Sequence, residues 1–474
     1  MGTHLGIDVD RTIISTLQLW VGLRTASGPR ARPGVARTIG CMVVLSERAA
    51  VRRLHDRLGF GPRPGDLDRG FAETRDRLLA GGPDAGAAAT PMPGFGPPPG
   101  NPGKNADQAA KQLVRKQVQA QATQAVAWWL DRMAAADVAS VERLTWFWHG
   151  HFATGEQKVR SPGLMLAQNQ TQRDHALGSF TDLAKAMIVD PAMLLWLDGN
   201  SNKAGKPNEN LSREFMELFA LGVGHYTEDD VREAARALTG WTAKRDAAGA
   251  QLVAKRHDDG VKRILGASGD FDAQSFVDIV LGRPESAPFV AGRVWFRLVS
   301  ATPPPPDTLN RLVAAYGRSR DIRALLRAIT DEPAFHDSGT SLVKQPVEWL
   351  AGLLRALGVR PGGLDDKTRT QLLAALRGMG QVPFQPPSVG GWAAGGAWLT
   401  TSAGVARLHA AQLVAAHADL GAVAKARDKV AAIGDLLGVD AWSDRTRAAL
   451  AGVAGDVRQL STVAACAPEY VVSG

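Results

Sequence analysis

From Ala106 onward the apolar residues recur three and four positions apart between capping residues, and alternating strand-like runs bounded by turns are scarce. That periodicity constrains the chain most. It predicts an all-α, predominantly helical fold, built as one large multi-helix domain with long loops. Ser46 suits a helix cap, Glu47 suits the positive end that follows, Leu54 and Leu58 lie four apart, and Gly59 is placed to end the helix. Asp190-Pro191 sets a cap before a proline in the first turn. Thr227, followed by Glu228, Asp229 and Asp230, predicts a capped, acid-rich start to a helix running to Gly240. Further helices are expected near 272–282, 307–315, 321–330, 344–357, 366–378, 403–420, 422–437 and 444–467.

Residues 1–41 carry no sustained period and read as a disordered tail or a mis-called start, leaving 42–474 as the single helical domain. The Gly/Pro/Ala-rich run at 81–105 holds too little apolar surface to order itself and reads as a flexible insertion. A chain of 474 residues can bury roughly three quarters of its unfolded surface, so it needs no covalent staples. Cys41 and Cys466 form neither a disulfide framework nor a metal-ligand spacing. The formal charge of +8 is mild over this length. Lys111 and Arg115 read as a solvated helix face, and no basic stripe with interleaved aromatics points to nucleic acid. No run approaches the roughly 20 apolar residues of a membrane span. Ile13–Leu23 is interrupted by Gln18 and preceded by no basic segment, so no clear signal peptide is present and the expected compartment is cytoplasmic.

Two clusters carry candidate chemistry. In Pro207–Trp241, a helix starting near Asn210 places Leu211, Phe215, Leu218 and Phe219 on an apolar stripe, with Glu214 at its edge and Asn210 and Glu217 beside it. A carboxylate on a partly buried face needs compensation. The partner could be Arg213, Arg232 or Arg236 in an ion pair that fixes packing, or a ligand, with Glu214, Glu209 and Glu217 as candidate catalytic carboxylates. In Phe147–Phe152, His149 and His151 point to opposite sides of a helix but the same way in an extended segment. Gly150 is a poor helix-interior residue, so the helix is expected to end there and let the two imidazoles converge. They then read either as packed core histidines or as metal ligands. His225 and His257 are further candidate ligands, with Asp258 placed to orient His257. The loop Pro386–Trp398 reads as packing or as a binding rim. No Walker loop, GxSxG, HExxH or CxxC motif is present.

RRLHDRLGFGP at Arg52–Pro62, FWHGHF at Phe147–Phe152, the 207–241 block, HDDGVKRILG at His257–Gly266, PPSVGGW and AACAPEY at Ala464–Tyr470 occur in one order. Over about residues 47–474 they resemble the bacterial family catalogued as domain of unknown function 1800. The resemblance implies one large, mostly helical domain and no assigned reaction. It also implies a neighbouring exported protein of the phosphatase or sulfatase type, and export of many members, which the N-terminus here does not match. Two functions follow as expectations. One is a metal-dependent, hydrolase-like enzyme using a divalent transition metal on His149, His151, His225 or His257, with Glu209, Glu214 or Glu217 as base and Asn210, Arg213 and Asp258 in support. The other is a non-catalytic partner or maturation factor for the phosphatase- or sulfatase-like companion.

Overall fold

Capping chemistry sets the helix starts in the structure, a computed structural model that describes residues 43–96, 107–246 and 249–474. Ser46, Asp190, Thr227, Asp272, Asp321, Thr400 and Ser443 each accept a backbone N–H of the turn that follows. Each bond satisfies a donor with no partner inside its own helix. The result is a predominantly helical single body, 61% helix, with few short strands. Those strands form antiparallel pairs: 241–243 with 250–252, 262–264 with 267–269, and 342–343 with 472–473. No described helix is long and apolar enough to cross a membrane.

The described residues pack around two apolar cores. One gathers Trp129, Trp146, Trp349, Leu354, Leu408 and Val463. The other gathers Leu54, Trp148, Phe152, Phe180, Phe215, Phe219 and Val294. The Ser140–His151 helix feeds both, because Trp146 and Trp148 lie on opposite sides of it. Leu195 and Trp196 also touch both cores.

Several expected boundaries moved, each for a local reason. The 422–437 and 444–467 segments each divide in two, because Asp428 and Asp456 cap new helices at Lys429–Leu437 and Val457–Ala465. The Thr227-capped helix stops at Ala237, short of Gly240, which sits at φ +91°. Residues 81–96 of the expected flexible insertion pack onto the body. Asp84 accepts from the backbone of Asp137 and Val138, at 2.9 and 2.7 Å, and Ala87 and Thr90 are buried. The expectation for residues 1–41 and for 97–105 of that insertion falls outside the described residues.

Candidate functional site

The Ser140–His151 helix does not end at Gly150. It continues through His151, with Phe152 N–H donating to the Trp148 carbonyl at 2.8 Å. The aromatic residues around Gly150 are buried on both sides of the helix, and that burial outweighs the roughly 1 kcal/mol a helical glycine costs. His149 and His151 therefore stay on opposite sides and do not converge as expected. His149 Nε2 accepts the Phe384 N–H at 3.1 Å within Trp129, Trp146, Phe384 and Trp392. His151 Nε2 donates to the Phe219 carbonyl at 2.9 Å on the other side. Burial pushes both imidazoles down to about 3, so both are neutral near pH 7. The helix is itself oriented by Glu142, a fully buried carboxylate that receives Arg132, Arg173 and the Trp129 indole N–H.

In the 207–241 block, Asn210–Glu214 is α-helical, but 215–220 winds as a π-turn, with Leu221 N–H reaching back to the Met216 carbonyl. The wider winding replaces Leu218 on the buried face with Met216. It leaves the Phe219 carbonyl outside the helical ladder, where His151 takes it. The two sequence clusters thus meet through this one hydrogen bond. Arg213 pairs with Glu209 and Glu228 at 3.0 and 2.7 Å, Arg232 with Asp229, and Arg236 with Glu233 and Asp258. None of these arginines forms an ion pair with Glu214, although the charge of Arg213 partly offsets the raising effects. Burial, then Glu217, raises the Glu214 carboxyl above its usual range. Glu217 accepts the Tyr226 hydroxyl at 2.5 Å. Asn210 is exposed and bonds Asp198.

The remaining candidates lie apart. His225 is exposed. His257 Nδ1 bonds the Thr239 carbonyl at 2.9 Å, and Asp258 is engaged in a two-point pair with Arg236, so it does not orient His257. Among the described residues no group of three or more His, Cys, Asp or Glu side chains is placed to hold a metal ion. The donor set expected for a metal is therefore not brought together among the described residues.

A different constellation stands on the open side of His151. A narrow cleft of about 350 Å³, counting its mouth, is lined by Arg143, Trp146, Phe147, His151, Arg293, Arg297, Gln345 and Trp392. Three arginines line it and no Asp or Glu does. Arg143 is backed by Glu348 at 2.8 Å. Arg297 donates to the carbonyls of Trp392 and Ala393, which ties the Pro386–Trp398 loop over the cleft. Arg293 has no hydrogen bond or ion pair among the described residues. Burial lowers Arg293, and lowers Arg297 to about 10, with Arg293 adding to the latter. Three buried polar atoms here lack a partner: Arg143 Nε, Trp392 Nε1 and His151 Nδ1. A second compartment of about 390 Å³ shares Arg143, Arg297 and Gln345 with the cleft and is lined further by Arg57, Glu348 and the Asp56–Lys344 pair. A wider outer groove of about 2070 Å³ beside Trp128 and Arg369 has no such unpartnered atoms, so volume alone does not mark the site.

The sequence reading missed Arg143, Arg293, Arg297 and Gln345. Only the i, i+4 spacing of Arg293 and Arg297 on one helix hinted at a shared face.

Fold and cleft together define a helical protein with an arginine-lined interior site at the junction of two cores. Residues 53–472 match the profile of a family described as protein of unknown function, DUF1800, and the chain belongs to that family. No curated protein and no solved structure matches it.

Proposed function

We propose that the protein binds a small oxyanion in the arginine-lined cleft, with Arg143, Arg293 and Trp392 as donors and Arg297 supplying charge. One observation carries the reading: three arginines line one narrow space, only Arg143 has a carboxylate partner, Glu348 behind it, and unpartnered buried donors stand beside them. Burying a charge costs several kcal/mol unless a counter-charge compensates it, and arginine is well suited to planar oxyanion recognition. The interior is tight, which favours a single small anion or the tip of a larger molecule over an extended ligand. Thermal unfolding in chloride buffer, with and without millimolar phosphate or sulfate, tests this. The expected result is a rise in Tm with at least one of them, by mass action on the folded state. Arg293→Gln, which breaks no internal bond, should remove the rise. Absence of any anion effect on the wild type would overturn the proposal.

The metal-dependent, hydrolase-like reading has less support, because His149, His151, His225 and His257 are dispersed and Glu209, Glu214 and Glu217 do not line the cleft. A role as partner or maturation factor for an exported phosphatase- or sulfatase-like protein rests on the family resemblance. Co-purification with that companion, undisturbed by Arg293→Gln, would favour it.

A further inference from the structure

Resting on the anion-binding reading, we infer that the guest is phosphate, an oxyanion that keeps a proton at neutral pH, and that His151 selects it over sulfate. The argument begins with the Phe219 carbonyl, which can only accept a hydrogen bond. The ring nitrogen 2.9 Å from it, His151 Nε2, must therefore carry the ring proton. In the neutral ring Nδ1 is then a bare acceptor, buried and without a partner. Burial, and then Arg293 and Arg297, disfavour a second proton and the positive charge it would bring to this ring.

The cleft thus offers donors from Arg143, Arg293 and Trp392 and, on His151, a buried acceptor without a partner. An anion made of acceptors alone satisfies the donors but leaves Nδ1 unpaired and opposes its lone pair to an oxygen. Sulfate at neutral pH is such an anion. Phosphate at the same pH keeps at least one P–OH, which can donate to Nδ1 while its other oxygens accept from the arginines and the indole. A site built around a buried acceptor rejects an analogue that lacks the matching proton, because the site's own group is then stranded.

Calorimetric titration of the full chain at pH 7 with sodium phosphate and with sodium sulfate, at matched ionic strength, tests the inference. Phosphate is expected to bind about tenfold tighter or more, as one hydrogen bond plus an avoided clash implies. His151→Gln is the informative variant. Its amide nitrogen can reach the Nε2 position and keep the bond to Phe219, while its amide oxygen branches from Cδ and does not take the Nδ1 position. Its phosphate affinity should fall about tenfold with sulfate affinity unchanged or increased, a pattern that general loosening of the site would not give. Equal binding of both ions by the wild type, or discrimination that survives His151→Gln, overturns the inference while leaving anion binding intact. Binding of neither ion overturns the underlying reading instead. The wild-type comparison stands even if the variant fails to fold. Methyl phosphate, titrated beside inorganic phosphate at about pH 5, where a phosphomonoester also keeps a P–OH, separates the two sources. Tighter binding of inorganic phosphate identifies the free ion, and tighter methyl phosphate identifies the terminal group of a larger molecule.

Discussion

His149 and His151 are neutral in the folded interior, held near 3 against an ordinary 6.5. In the unfolded chain both take up protons as the pH falls below about 6.5, while the folded chain does not. Their contribution to stability is therefore complete above that value and is lost as the pH drops toward about 3. Each adds a slope of up to about 1.4 kcal/mol per pH unit. Replacing His149 with glutamine, whose carbonyl can still accept the Phe384 N–H, should remove one proton from that dependence. Urea unfolding at pH 7 and pH 4.5 measures it, and an acid limb as steep as the wild type's would contradict the assignment. At this scale the sequence singled out the two histidines correctly as unusual, because two imidazoles amid Trp146, Phe147, Trp148 and Phe152 cannot all be solvated. It did not show which ring nitrogen each uses, since the partners are backbone groups of Phe384 and Phe219, far along the chain.

Helices and loops place those side chains by close backbone contact. Gly391, at φ +76°, presses on the Ser140–His151 helix so closely that a Cβ there would lie 2.3 Å from the Gly150 carbonyl oxygen. The approach seats Trp392 against Trp146 at 4.9 Å and closes one wall of the cleft. Gly391→Ala should cost about 2 kcal/mol or more, from the positive φ and the clash together. It should also weaken the anion-dependent rise in Tm, because the loop must lift. A variant with wild-type stability and wild-type anion response would refute this packing role. The capped starts at Ser46, Asp190 and Thr227 were legible because a cap and its turn lie within three residues of each other. The π-turn at 215–220 was not. It follows from how Phe215, Met216 and Phe219 bury against neighbouring helices, and it invalidated a projection at constant angle along the Glu214 helix.

Across the whole molecule, the Ser140–His151 helix and the Leu195–Trp196 pair tie the two cores together. Neither core can lose its packing without exposing residues that serve the other. Thermal unfolding is therefore expected to be one cooperative transition, coincident by far-ultraviolet circular dichroism and by fluorescence from tryptophans such as Trp129 and Trp148, which lie in different cores. Two separated transitions would show that the halves fold independently. By itself the sequence determined that this chain is helical, where its clearly capped helices begin and, through its ordered motifs, which family it belongs to. Those properties reside in spacings of a few residues or in local strings, and local interactions suffice to express them. Only the tertiary structure decided that His149 and His151 face apart, that Glu214 gains no arginine, and that a cationic cleft exists. Arg143 and His151 share one helix, but Arg293, Gln345 and Trp392 come from three other stretches of chain, and no short-range periodicity can report a convergence that arises only when two cores pack around one shared helix.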